Sequence, residues 1–167
     1  MKRFVFAAML VFISAMASAQ ADSLLLPYQK FPTFPPVKLL LPDSTSFYTK
    51  DNLPKKKPVM LVVFNPQCEH CQHETEELVQ HMDQFKNIHI VMTTSSPFSD
   101  MKAFIVRYGL ERFDNIVVTQ DTHFFLMSFY MLHNLPFHAF YNKKKELLSV
   151  AEGSMTIEKI LAVFGQK

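Results

Sequence analysis

The stretch Val59-Met60-Leu61-Val62-Val63-Phe64-Asn65-Pro66-Gln67-Cys68-Glu69-His70-Cys71 decides how this chain is read. Val59 to Phe64 runs without a polar break, as expected for a strand buried on both faces of a sheet. Asn65-Pro66-Gln67 ends the run, and a helix is predicted from about Cys68 to Lys86. Its apolar positions Leu78, Val79, Met82 and Phe85 follow helical spacing. Glu74, Glu76 and Glu77 lie near its start, where the helix dipole favours acid. Ile88 to Met92 reads as the next strand, completing a β-α-β unit with a right-handed crossover.

Working towards the C-terminus, a second helix is predicted from Ser99 or Asp100 to Tyr108, ended by Gly109. Ile116 to Val118 is a short strand, and Asp121 or Thr122 can cap a helix through about Leu132. Phe137 to Tyr141 and Leu147 to Ala151 read as a hairpin around Asn142-Lys143-Lys144-Lys145. Met155 to Phe164 closes the chain as an amphipathic helix with Ile157, Ile160, Leu161 and Phe164 on one face. Alternating strands and helices followed by a hairpin and a helix describe a three-layer α/β domain over residues 58–167. Upstream, seven of the ten prolines fall within residues 20–58, which excludes long helices there. That Pro-rich extension, 20–57, has room for a short edge hairpin pairing Val37–Leu41 with Ser46–Tyr48. No repeat, low-complexity tract or second domain is visible.

The composition fits. A length of 167 residues suits one domain, and 49% apolar against 19% charged residues argues for a core and against disorder. Three glycines leave no Gly-rich phosphate loop, and two cysteines rule out a disulfide-stapled miniprotein. Residues 1–19 read as a signal peptide. Lys2-Arg3 is followed by an apolar run from Phe4 to Met16, broken only by Ser14, and Ala17-Ser18-Ala19 precedes Gln20. The run falls short of the ~20 residues that span a bilayer, which favours cleavage over an uncleaved anchor. No cysteine follows it, which disfavours a lipoprotein. The mature chain is therefore expected to be soluble, in the periplasm or outside the cell. Without Lys2 and Arg3 it has as many basic as acidic residues, so no nucleic-acid partner is expected. Lys55-Lys56-Lys57 and Lys143-Lys144-Lys145 read as solvated turns.

Cys68-Glu69-His70-Cys71 is the informative motif. Covalent haem would need His where Gln72 stands, and a structural zinc site would need a second ligand pair that the other histidines do not form. No metal and no cofactor is assigned. Unpaired N–H groups and the dipole at a helix start stabilise a thiolate, the species that attacks disulfides. Cys68 is placed there, and Cys71 lies one turn later, within reach to close a disulfide. Cys68 is thus the expected nucleophile and Cys71 the resolving thiol. Protonated His70 would favour the thiolate and ionised Glu69 would oppose it. Both fit equally as solvated bystanders.

With Phe64-x-Pro66-x-Cys68-x-x-Cys71 after a strand and Leu135-Pro136 before a hairpin, the chain resembles the thioredoxin superfamily. The leader, the Pro-rich extension and the added strand-helix before Pro136 resemble its secreted TlpA/ResA-like branch. The resemblance covers about residues 31–165. It implies a thioredoxin-like fold with an N-terminal extension, a cis Pro136 facing the cysteines, and a Leu135 backbone that contacts the partner peptide. It also implies thiol-disulfide exchange with protein disulfides, as a reductant fed by a membrane-bound thiol reductase.

Three departures stand out. Gln67 replaces the usual tryptophan, Phe137 follows Pro136 where the branch more often has Thr, and Val62 stands where thioredoxin carries a carboxylate. A proton acceptor for Cys71 is then sought among Glu69, His70, His73 and water. Two other functions share the motif's chemistry. A thiol peroxidase resembling the AhpC/TSA relatives would usually have Thr at the position of Asn65. A Sco-like copper carrier would use three residues between its cysteines, where this chain has two.

Overall fold

The computed structural model describes residues 25–165. The leader expected over 1–19, with its cleavage site before Gln20, lies outside the described residues. The described chain opens with a single helical turn, α1 (Pro27–Lys30), and a hairpin of β1 (Leu39–Leu40) and β2 (Phe47–Tyr48). The sharp return between them suits Asp43, whose Oδ1 accepts the Thr45 and Ser46 N–H groups at 2.9 and 2.8 Å. Those bonds, Ser46 first, hold its carboxyl at about 2.

The motif stretch follows as β3 (Val59–Val63) and α2 (Glu69–Gln80), then β4 (His89–Thr94), α3 (Phe98–Tyr108), β5 (Ile116–Gln120) and α4 (Phe125–Tyr130). The chain ends with β6 (Phe137–Tyr141), β7 (Leu147–Glu152) and α5 (Ile157–Val163). The seven strands form one sheet in the order β2-β1-β5-β4-β3-β6-β7. β3, β4 and β5 are parallel, while β6 and β7 run antiparallel and the β1–β2 hairpin closes the far edge. Every residue of β3 is buried, because it has a strand on each side and helices on each face. Met60, Val62 and Phe64 face α2, α3 and α5. Val59, Leu61 and Val63 face α4 and the Pro-rich segment around Phe34 and Val37. This is the expected three-layer α/β arrangement, with the added β5–α4 unit before Pro136. No helix among the described residues is long and apolar enough to cross a membrane.

Three expectations change. The first long helix stops at Gln80 instead of Lys86, because His81 leaves helical geometry at φ −110°, ψ 20°. Met82 to Phe85 continues as a 3₁₀ turn, and with three residues per turn it still buries Met82 and Phe85 together. α4 is shorter than the predicted span to Leu132. Phe124 and Met131 bracket it in the left-handed region at φ +54° each, and the left-handed residue after Tyr130 ends it. Asp121 serves its first turn from outside, accepting the Leu126 N–H at 2.8 Å.

The third change is Lys145, which is buried rather than solvated. Its Nζ donates to the carbonyls of Pro54 and Lys57 at 2.8 Å each and of Lys143 at 3.1 Å. Burial lowers its pKa. Hydrogen bonds from a charged group contribute about 1.5–3 kcal/mol each, which offsets the cost of desolvating the ammonium. The lysine thereby ties the β6–β7 turn to the segment leading into β3.

At the opposite end of the domain from the motif, His89 stacks on Tyr48, and its Nε2 lies 2.7 Å from the Tyr48 hydroxyl. Burial, then the charges of Lys57 and Lys145, hold the His89 imidazole down at about 4. The unfolded chain takes up this proton near pH 6.5, before the native state does, so acid favours unfolding. Stability from this group is complete above pH 6.5 and is lost as pH falls towards about 4. The urea midpoint of the wild type should therefore fall relative to His89→Gln across that window. A gap between the two that stays constant with pH would contradict this.

Candidate active site: a Cys-x-x-Cys pair at a helix start

β3 delivers the chain to the carboxyl edge of the parallel strands. Phe64 still follows the ladder, its N–H bonded to the Thr93 carbonyl at 2.9 Å. Its ring packs on Phe104, and Phe104 packs on Tyr108, with centroids 4.6 and 4.5 Å apart, which anchors the strand end to α3. Asn65 then folds the turn. Its Oδ1 accepts the Gln67 N–H at 2.9 Å and its carbonyl accepts the Cys68 N–H at 3.0 Å. Gln72 reaches back from the helix to the Pro66 carbonyl at 2.7 Å.

Cys68 is the N-cap of α2, with extended φ −83° and ψ 117°, one position before the helix proper. Its thiol is partly exposed and lies 3.9 Å from the Leu135 carbonyl oxygen. Cys71, in the first turn of the helix, is 1% exposed. Both cysteines are free thiols. Burial pushes the Cys71 thiol up to about 12, with smaller upward contributions from Cys68 and from the Glu74 charge. The two sulfurs thus differ in kind. One is a partly exposed thiol at the N-cap position, and the other is a buried thiol whose pKa burial raises.

Leu135–Pro136 is a cis peptide bond, with Pro136 buried beside the motif at the start of β6. Register explains the meeting, since Val63 pairs with Phe137 across the antiparallel β3–β6 ladder. The loop before it is fixed by Glu152 of β7, which accepts the His133 N–H at 3.1 Å and the Asn134 side-chain N–H at 3.0 Å. These bonds, the His133 backbone first, lower the Glu152 pKa. A groove of about 330 Å³ runs alongside, lined by Phe64, Asn65, Phe124, Met127, Leu132 and Leu135 among others. Phe124 is 54% exposed at its lip.

Glu69, His70 and His73 are exposed on the outer side of the helix start. The buried carboxylate next along α2 from Cys71 is Glu74. It is a buried mid-helix residue, not one of the dipole-facing acids it resembles in sequence. Its Oε1 lies 2.5 Å from His138 Nε2, and its Oε2 accepts the Met155 N–H at 2.7 Å. His138 is fully buried on β6, directly across from Val62. This pair was missed by reading the sequence, where the histidines form no pairs. The available signals were weak ones. His138 is a lone polar residue inside the apolar run Phe137–Tyr141, and Glu74 is one turn beyond Cys71.

No protein-family model and no curated protein matches the sequence. Solved structures do match. A secreted disulfide oxidoreductase of Mycobacterium tuberculosis, homologous to E. coli DsbE, aligns with TM-score 0.64 and 16% identity over 78% of this chain and 95% of that one. StoA from Bacillus subtilis aligns with TM-score 0.59 and 18% identity over 78% of this chain and 98% of its own. A thioredoxin-like protein from Aeropyrum pernix covers 91% of this chain and 98% of its own, with TM-score 0.64 and 12% identity. Identities this low speak for architecture, and the architecture is clear: the chain has the thioredoxin-like fold.

Proposed function

We propose that this chain is an extracytoplasmic thiol-disulfide oxidoreductase that exchanges a Cys68–Cys71 disulfide with protein thiols, acting as a reductant. The observation that carries the reading is the asymmetry of the two thiols: Cys68 partly exposed at a helix N-cap, Cys71 buried one turn on. Cys68 attacks a partner disulfide and forms a mixed disulfide. Cys71 then attacks the Cys68 sulfur, the partner leaves as a thiol, and the Cys68–Cys71 disulfide closes. The cis Leu135–Pro136 segment and the adjoining groove supply an apolar wall against which the partner backbone lies. The two residues between Cys68 and Cys71, where a Sco-like copper carrier has three, favour exchange over copper carriage.

The cysteine roles are tested by alkylation and by trapping. Iodoacetamide should modify Cys68 before Cys71 at neutral pH, read by peptide mass mapping. Cys71→Ser should accumulate a stable mixed disulfide with a protein substrate, and Cys68→Ser should lose exchange altogether. Full disulfide-reductase activity in Cys68→Ser would sink the reading.

Direction is a matter of potential. Equilibration of the Cys68–Cys71 couple in a glutathione redox series should place it nearer the ~−270 mV of reducing Cys-x-x-Cys proteins than the ~−120 mV of oxidising ones. A value at the oxidising end would reverse the assigned role and with it the membrane-bound thiol reductase as electron donor.

Export follows from the leader over residues 1–19, and the likeness to a secreted disulfide oxidoreductase supports it. N-terminal sequencing of protein recovered from the cell envelope should begin at Gln20. Intact Met1 on a cytosolic protein would overturn export and would leave the pair in a reducing pool.

A further inference from the structure

The sequence carries two runs of three lysines, Lys55–Lys57 and Lys143–Lys145, and the fold makes them one surface. The Lys145 ammonium, 88 residues along from Lys57, donates to the Lys57 and Pro54 carbonyls at 2.8 Å each. The Lys57 ammonium in turn donates to the Lys86 carbonyl at 3.0 Å, in the loop before β4. Val59 pairs with Tyr141 on one side and His89 on the other, so all three loops meet at one end of the sheet. Lys55, Lys56, Lys86, Lys143 and Lys144 are exposed there, and Lys57 is half-buried. Lys145 holds φ +67°, a backbone region that Gly or Asn ordinarily fills in a hairpin turn. A glycine would suit that backbone better, but it could not gather the loops through their carbonyls.

Ion pairing does not neutralise this end. Among the described residues the ion pairs are His133–Glu152 and His138–Glu74, and neither involves these lysines. Glu146, the acid of the β6–β7 turn, accepts the Asn142 side-chain N–H at 2.7 Å. Asp51, Asp83 and Asp114 are the other acids beside these loops. Four acids against seven lysines, Lys145 included, leave an excess of positive charge. The chain after residue 19 has as many basic as acidic residues, so this excess is a polarisation of the domain rather than its net charge.

The type of cation narrows the partner. Every basic residue in these loops is lysine, a compact point charge without the planar fork that reads a phosphate in fixed geometry. No aromatic residue lies in 54–58, 86–88 or 142–146 to stack on a base. Several mobile charges on turns at one end of a domain suit a surface whose phosphates can rearrange beneath them. We propose that this lysine end docks on an anionic lipid bilayer and holds Cys68 at the face turned away from the lipid. The loops lie at the start of β3 and Cys68 beyond its end, so roughly 15–20 Å of strand separates them. Where such a bilayer is met rests on the export reading above, whereas the binding itself does not depend on thiol exchange. A membrane-bound electron donor would then offer its thiols on a part raised above the bilayer.

Vesicle sedimentation tests this with the chain from Gln20, which holds the whole described fold and lacks the apolar leader. In about 0.1 M salt it should sediment with vesicles of phosphatidylcholine and phosphatidylglycerol in equal parts, and not with phosphatidylcholine alone. It should be released at about 1 M salt, where the screening length falls to ~3 Å. Each lysine near such a surface is worth about fivefold in affinity. Lys55→Gln/Lys56→Gln and Lys143→Gln/Lys144→Gln should therefore each weaken binding at least about tenfold, and their combination at least about a hundredfold. Lys38→Gln/Lys159→Gln, exposed but outside these loops, should bind as the wild type does. If one loop pair unfolds the chain, the other decides. Equal loss from all three pairs, undiminished binding in the combined variant, or binding to phosphatidylcholine alone overturns the proposal. So does release by inorganic phosphate at constant ionic strength, which would mark a discrete phosphate site, or tighter binding to duplex DNA at equal phosphate. Reaction of Cys68 with 5,5′-dithiobis(2-nitrobenzoate) should be as fast on vesicles as in solution, and shielding by the vesicles would place the lipid at the wrong end and overturn docking. A Cys68 that fails to react in solution would count against the exchange reading and not against docking.

Discussion

The antiparallel register between β3 and β6 is the constraint on which the site depends. Val63 opposite Phe137 sets the end of β3 beside the start of β6, which brings Cys68 to the Leu135 carbonyl across 67 residues of sequence. The same register sets His138 opposite Val62, on the face covered by α2, where Glu74 can reach it. A slip of one residue would reverse every side chain of β6 and bring His138 to the α4 face. One pairing therefore fixes both the contact of the partly exposed Cys68 thiol with Leu135 and the contact of Glu74 with His138. The burial of all five β3 residues and all five β6 residues holds that register, since neither strand has a solvent face to which it could slip.

The sheet is completed by elements that contribute little chemistry but restrict motion at this edge. The ring series Phe64, Phe104 and Tyr108 fastens the strand end on one face. Glu152 fastens the loop before Pro136 from the neighbouring strand. Lys145 does the equivalent at the other end, binding the β6–β7 turn to the entry of β3 through three carbonyls. The N-terminal extension is part of this construction. Its β1–β2 hairpin extends the sheet beyond β5, and the Phe34 N–H bonds the Lys145 carbonyl at 3.0 Å.

The central strand, the turn after it and the place of Cys68 at a helix start were legible in the sequence because their signals are local. An unbroken apolar run, a proline turn and a Cys-x-x-Cys follow one another within thirteen residues, Val59 to Cys71. Helix ends were less legible. The apolar spacing of Met82 and Phe85 suits a 3₁₀ turn as well as an α-helix, and nothing local announces the left-handed Phe124 and Met131 that bracket α4. Lys145 and the Glu74–His138 pair were not legible at all. Each is an ordinary polar residue in its own segment, and each takes its meaning from partners 64 to 91 residues away. Those partners are set by tertiary register, which a reading of local pattern does not reach.

The energetics of the Glu74–His138 pair separate it from these structural fasteners. Lys145 joins carbonyls of two separate segments through one ammonium, so its burial serves the fold. Glu74 answers His138 with one oxygen and the Met155 N–H with the other, and His138 brings an additional buried nitrogen with no partner. Replacing such a buried pair by well-packed apolar side chains of similar volume is commonly neutral or stabilising, by about 1–4 kcal/mol. An apolar pair would also suit the surrounding core, since Met60, Val62, Leu78 and Ile157 already occupy that layer. The carboxylate keeps a structural task that an apolar residue could not take over, since its Oε2 accepts the Met155 N–H and so ties α2 to the approach to α5.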